Sequence, residues 1–208
     1  LFLDYDADGD LDMYLLNHST HDEREAAGGP VRGAPHPAAG DRLFRNDGNR
    51  FVDVSRESGI YSDAEGYGLG VVASDLDLDG CIDIYVANDF QGDDRLYLND
   101  CEGGFVESIR SASGHTSRFS MGVDAADFDN DLRPDVFVAD MLPEREEILK
   151  TSANAEPFNI FELRMRAGYH PQYARNTLQL NRASSLSGLD GLLLNDADPD
   201  GRARSTSI

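Results

Sequence analysis

Three short stretches of the chain place Asp at alternate positions and close on a fourth: Asp4-Asp6-Asp8 with Asp12, Asp75-Asp77-Asp79 with Asp83, and Asp127-Asp129-Asp131 with Asp135. Carboxylates at positions 1, 3, 5 and 9 of nine residues repel one another unless a cation sits among them, and an all-oxygen ligand set favours Ca2+. Asp and Gly also dominate ordinary solvated turns, and one such loop would imply no more than that. Here the same spacing recurs three times, each time leading into a β-type run (Leu11–Leu16, Ile82–Ala87, Val136–Ala139). Such a repeat makes a cation-holding loop the unit of the fold. The Asp residues at these positions are the candidate metal ligands.

The other loop positions refine this reading. Gly9 and Gly80 fall at position 6, where a sharp turn around an ion needs a positive φ. The third loop has Leu132 there, so it is expected to bend differently or to bind more weakly. Position 7, occupied by Asp10, Cys81 and Arg133, is chemically unrestrained, as expected where the backbone carbonyl is the ligand. An EF-hand would need a bidentate Glu at position 12, but that position is Leu15, Val86 or Val138. These apolar runs predict hairpins, not helix-loop-helix units.

The middle unit is the most complete. Gly68–Ser74 and Ile82–Ala87 flank its loop, and Arg95–Asn99 and Phe105–Ser108 supply two more strands. Four short antiparallel strands make one β-propeller blade, so the fold class is all-β, a propeller of four-stranded antiparallel blades. In the first unit, residues 41–46 match 94–99, and 51–55 match the strand at Phe105. The third unit starts at Met121 and finds its matching strand at 176–181. About three blades are therefore expected within residues 1–182, in units of about 1–58, 66–110 and 119–182. Loop-to-loop spacings of 71 and 52 residues imply insertions, placed at 18–40 and 143–175. The second insertion is expected to carry a short helix beginning near Pro157, with Phe158, Phe161, Leu163 and Met165 packing on the propeller rim. Residues 183–208 read as an atypical tail. Asp196, Asp198, Asp200 and Gly201 imitate a fourth loop, but position 9 is Arg204, and no metal site is expected.

The charge is strongly acidic. Against 18 basic residues stand 39 acidic ones, a formal net of −21, and 13 of those acids lie in the three loops. Three bound Ca2+ would bring −21 to −15, still acidic enough to make nucleic acid and anionic membrane poor partners. No run of apolar residues is long enough to span a membrane, and no signal peptide opens the chain. The first residues, Leu1-Phe2-Leu3, already read as a strand entering a metal loop, so a fragment of a longer protein is expected.

These units, above all the stretch from Gly70 to Asn88 followed by Arg95-Leu96-Tyr97-Leu98-Asn99-Asp100, resemble the FG-GAP/VCBS repeats of secreted and cell-surface propellers. The resemblance covers roughly residues 1–182. It implies a seven-bladed propeller in the full protein, related to the integrin α-subunit head, with Ca2+ in the hairpin between the first two strands of a blade. It carries the ligand role onto Asp4, Asp6, Asp8 and Asp12, onto Asp75, Asp77, Asp79 and Asp83, and onto Asp127, Asp129, Asp131 and Asp135. A propeller closes with four to eight blades, so three alone would leave exposed edges.

Pairing Tyr85 with Leu96 or Tyr97 would bring Cys81 opposite Asp100 or Cys101. A Cys81–Cys101 disulfide could then bridge the open end of one hairpin, the alternative being two free thiols. A disulfide and loops suited to millimolar Ca2+ both point to an extracellular, periplasmic or cell-surface location. No catalytic constellation is visible. His18, His21, His36, His115 and His170 are scattered, and the paired carboxylates already serve as cation ligands. The favoured reading is a non-enzymatic extracellular module that binds Ca2+ and presents a surface to protein or carbohydrate. The alternative is the substrate-binding part of a polysaccharide-acting propeller enzyme.

Overall fold

A computed structural model describes residues 1–19, 39–60, 66–90, 92–141, 143, 145, 147–148, 158–182 and 194–196. Three four-stranded antiparallel sheets follow one another along the chain. The first is β1 (Phe2–Leu3), β2 (Asp12–Leu15), β3 (Arg42–Asn46) and β4 (Phe51–Asp53). The second is β5 (Gly68–Ser74), β6 (Asp83–Asn88), β7 (Arg95–Asn99) and β8 (Phe105–Glu107). The third joins β10 (Ser120–Ala126), β11 (Asp135–Asp140), β13 (Thr177–Asn181) and β14 (Leu194–Asp196). In each sheet the strands pair in chain order, and an Asp ladder links the first two. This is the meander of a β-propeller blade.

The third blade departs from the sequence reading at its outer edge. Leu194–Asp196 pairs antiparallel with β13, Asn181 facing Leu194 and Gln179 facing Asp196. The third unit thus extends past residue 182, and Asp196 belongs to a strand. Asp198, Asp200, Gly201 and Arg204 lie outside the described residues, as does 20–38, the bulk of the first insertion. Two short strands outside the blades, β9 (Thr116–Ser117) and β12 (Gln172–Tyr173), pair in parallel.

Period-2 alternation explains how three sheets share two cores. From the middle blade, Ile84, Val86 and Tyr97 turn toward the first blade, where they meet Leu3, Tyr5, Tyr14, Leu43 and Val54. Tyr85, Ala87, Leu96 and Leu98 turn the other way, onto Leu76, Ile109, Val136 and Val138. Being covered on both faces, β6 is buried along its whole length. That is why Ile84–Ala87 reads as an unbroken apolar run and not as an alternating one. Gly70 lets the innermost strands of blades two and three approach, since a Cβ there would lie 3.1 Å from the Val123 backbone nitrogen and 3.2 Å from the Gly122 Cα. Both inner strands carry the same irregularity, between Gly68 and Gly70 and between Ser120 and Gly122.

Among the described residues, helices α1 (Ile109–Ala112) and α2 (Phe158–Arg166) lie between the strands. The second is the helix expected near Pro157; Phe161 and Met165 are half-buried, Phe161 stacking on the Tyr173 ring, but Phe158 and Leu163 do not pack as expected. Phe158 is 76% exposed and Leu163 61%, whereas Arg164 is buried. The Arg164 guanidinium lies 5.2 Å over the Tyr169 ring and contacts the Gln172 side chain. The following segment, not the helix's apolar face, fastens the insertion to blade two: the His170 N–H donates to Asp93 Oδ1 and Gln172 Nε2 to the Gly92 carbonyl.

Candidate metal centres

The three loops fold alike because each position-1 carboxylate collects the backbone donors of the turn. Asp4 accepts from the Asp8 and Gly9 N–H groups at 3.1 Å each, and Asp127 from Asp131 at 3.0 Å and Leu132 at 2.9 Å. In loop two Asp75 accepts from Gly80 at 3.1 Å. The position-5 carboxylates Asp8, Asp79 and Asp131 accept from the N–H two residues on. These Asx turns bend the chain through left-handed backbone at position 6, with φ of 92° at Gly9, 96° at Gly80 and 69° at Leu132. Leu132 therefore adopts the same bend as the glycines, contrary to one branch of the sequence expectation. Its side chain is 86% exposed and clear of the turn. Position 4 is left-handed as well, at Ala7, Leu78 and Asn130, which the residue types at that position do not announce.

Position 9 is the most buried rung, with Asp12, Asp83 and Asp135 each wholly inaccessible. Each accepts two backbone hydrogen bonds. One oxygen receives the N–H of loop position 2 (Tyr5, Leu76, Phe128), and the other receives the N–H of the residue ending the third strand (Asn46, Asn99, Asn181) at 2.8 Å. The side chains of those asparagines continue the link. Asn99 Nδ2 donates to the Ile82 carbonyl in its own blade and to the Tyr5 carbonyl of blade one at 2.8 Å. Asn181 likewise bonds Pro134 and, across to blade two, Leu76. Their recurrence at one strand end, as Asn46, Asn99 and Asn181, is the sequence signal of this role.

In each loop three carboxylates converge, their nearest oxygens all within 4.8 Å of one another: Asp4, Asp6 and Asp8; Asp75, Asp77 and Asp83; Asp127, Asp129 and Asp135. The fourth member of each predicted set, Asp12, Asp79 or Asp131, stands outside that trio. Burial, followed by the charges of neighbouring aspartates, raises the carboxyl pKa of Asp6 and Asp77. Burial raises Asp83 to about 7 despite the N–H groups of Asn99 and Leu76. Loops one and two also hold buried carboxylate oxygens with no hydrogen-bond partner, Asp6 Oδ1, Asp10 Oδ1 and Asp75 Oδ1. Partnerless anionic oxygens turned inward among other carboxylates suit a hard cation. The donor chemistry of these two loops thus fits Ca2+.

Cys81 and Cys101 are joined by a disulfide with their Cα atoms 5.7 Å apart. The hairpin register places Tyr85 opposite Leu96, and the left-handed Cys101, at φ 59°, carries the chain to the bond. Asp79 Oδ2 lies 3.3 Å from the Cys101 sulfur, but a disulfide sulfur is no thiolate ligand, so that cluster is not a further metal site. Of the histidines, His18 packs edge-on against Tyr67, and His170 is buried with its pKa lowered chiefly by burial.

The FG-GAP-like repeat model matches residues 4–86 and 75–138. Each match begins on position 1 of one ladder and ends on position 12 of the next, and together they cover more than half of the chain. The chain belongs to the FG-GAP-like repeat family. Among curated proteins, this FG-GAP chain is similar to cartilage acidic protein 1 of Mus musculus, 40% identical over 98 residues that make up 46% of this chain and 15% of that protein. It is also similar to cartilage acidic protein 1 of Xenopus tropicalis, 38% identical over 101 residues, and of Homo sapiens, again 38% over 101 residues. The matched region is 46% of this chain and 15% of the Xenopus and 14% of the human protein, so the chain spans a small part of these relatives' length.

Proposed function

We propose that this FG-GAP repeat chain is a calcium-stabilised, non-catalytic propeller segment of an extracellular protein, whose surface serves to bind protein or carbohydrate. The observation that carries the calcium reading is the set of buried, partnerless carboxylate oxygens at Asp6, Asp10 and Asp75, each inside a trio-forming loop. When bound, Ca2+ would supply the positive charge that offsets repulsion among these carboxylates. Asp4, Asp6 and Asp8 would hold it in loop one, and Asp75, Asp77 and Asp83 in loop two. Asp12 and Asp83, with their donors from Tyr5, Asn46, Leu76 and Asn99, hold each loop against its own third strand. The chain's residues thus build the frame, and the cation tightens it.

A disulfide beside loop two and the likeness to cartilage acidic protein 1 support an extracellular setting. The net charge of −21 disfavours nucleic acid and anionic membrane as partners, and among the described residues no helix is long and apolar enough to cross a membrane. The carboxylates best placed for acid–base work are engaged in the loops, which supports a binding role over catalysis.

Titration calorimetry with Ca2+ on the full chain tests the metal reading. Saturable binding lost on Asp6→Asn/Asp77→Asn substitution is the expected result, and heats indistinguishable from dilution would refute it. Binding to immobilised extracellular-matrix proteins and glycans, with and without EDTA, tests the partner class; Ca2+-dependent retention on one of them is expected.

A further inference from the structure

Loop three differs from the other two in what surrounds its carboxylates. The Arg133 guanidinium pairs with Asp131, and Arg182 Nη1 lies 2.8 Å from Asp129 Oδ2 and 3.2 Å from Asp131 Oδ2. Arg133 is held in place by a second bond, its Nε donating to the Asn181 carbonyl at 3.0 Å. Among the described residues, loop three shows no buried partnerless carboxylate oxygen, while loops one and two both do.

The two arginines occupy positions where the other blades carry no positive charge. Arg133 is at position 7, which is Asp10 in loop one and the disulfide-bonded Cys81 in loop two. Arg182 follows the strand-ending Asn181, and the residues following Asn46 and Asn99 are Asp47 and Asp100. Arg45, beside loop one, forms its ion pair with Asp47 at 2.8 Å, and its charge acts on the ladder only at Asp6 and without an ion-pair contact. Two guanidinium charges equal the charge of one divalent cation, and a guanidinium is always charged and donates in a fixed fork suited to carboxylates.

We propose that blade three carries its cation within its own sequence: Arg133 and Arg182 engage Asp129 and Asp131 and hold loop three folded without Ca2+, making it the weakest calcium loop of the three. This rests on the calcium reading for loops one and two but concerns different residues. Ca2+ entering loop three must displace guanidinium groups from Asp129 and Asp131, whereas in loops one and two it meets partnerless oxygens. A chain in low Ca2+ then retains one ordered blade hairpin while the other two loosen.

Amide hydrogen exchange on the full chain tests this, comparing the wild type with Arg133→Gln/Arg182→Gln in EDTA and in saturating Ca2+. In EDTA, residues 127–135 should exchange roughly tenfold faster in the variant than in the wild type. In the wild type, Ca2+ should slow exchange in loops one and two and leave loop three nearly unchanged; in the variant, loop three should respond as the others do. Equal exchange of loop three in wild type and variant in EDTA overturns the proposal, as does a wild-type loop three that responds to Ca2+ as strongly as loop two. If no loop responds to Ca2+ but the variant still loosens loop three, the arginine latch stands and the calcium reading fails. Should the double variant not fold, Arg182→Gln alone changes a side chain 31% exposed and gives the same readout at roughly threefold.

Discussion

Asp94 and Tyr85 show how one residue pair sets a chemical property of a blade. The Tyr85 hydroxyl donates to Asp94 at 3.0 Å, the Asn88 N–H at 2.8 Å, and the Ser120 hydroxyl at 3.1 Å, yet burial still raises the Asp94 carboxyl to about 7. Blade one repeats the pair as Tyr14 and Asp41. Blade three has Phe137 and Asn176 at the matching places, so hydroxyl and carboxylate are lost together, while the backbone bond is kept, Asn176 Oδ1 accepting from the Asp140 N–H as Asp94 accepts from Asn88. Because the folded Asp94 pKa stands above its unfolded value, the folded state holds the proton more tightly. Its contribution to stability is complete below about pH 4 and is lost as pH rises through about 7. The double substitution Asp94→Asn/Tyr85→Phe, copying blade three, should flatten that part of the stability–pH profile in urea titrations; an unchanged slope would contradict the assignment. At the same scale, Asn99→Ala removes bonds to both Tyr5 and Ile82 carbonyls and should cost about 2 kcal/mol. Asn46, whose exposed side-chain bonds to the Leu11 carbonyl at 3.2 Å and from the Gly48 N–H at 3.0 Å lie within its own blade, should cost less, about 1 kcal/mol, when changed to Ala. Equal losses would remove the link between blades as the cause.

The loop-two hairpin is closed chemically at one end by Cys81–Cys101, 20 residues apart. Replacing both with Ser should lower stability by about 3 kcal/mol in denaturant unfolding, and no loss would mean the bond does not restrain the unfolded chain. In loop three, Leu132 holds a left-handed φ of 69° with an almost fully exposed side chain. Leu132→Gly should therefore stabilise the protein by about 1 kcal/mol, read as a shift in the urea midpoint. A loss of stability would show that the leucine contributes contacts that outweigh the strain. Most strands were legible at this scale because burial on alternate faces writes itself into short apolar runs, as in Arg95–Asn99 and Gly68–Ser74. The strand Leu194–Asp196 was not, because it runs into an Asp-rich stretch that imitates a loop and lacks the Phe-Val pair that marks the equally short outer strands at Phe51 and Phe105. The rim packing of Phe158 and Leu163 was misjudged for a related reason: an apolar helical stripe predicts burial, but here His170 and Gln172 make the attachment.

Across the whole molecule, stability resides in two cores pressed between three sheets and in the side-chain bonds that cross between blades. Gly70→Ala would put a Cβ 3.1 Å from the Val123 backbone and should cost about 1 to 3 kcal/mol, measured by thermal unfolding; a neutral result would mean the inner strands can separate freely. The position of every ladder was readable from spacing, since the same set of carboxylates recurs three times, each time ahead of a β-type run. What surrounds each ladder was not, because Asn99 and Arg182 act through contacts between elements distant in the chain. The central claim is that cations stabilise this frame by binding the folded loops, which linkage turns into a heat-stability difference. Differential scanning calorimetry of the full chain and of Asp77→Ala, in EDTA and in millimolar Ca2+, measures it most directly. The account predicts a higher Tm for the wild type in Ca2+ and a clearly smaller rise for Asp77→Ala; a wild-type Tm indifferent to Ca2+ would contradict it.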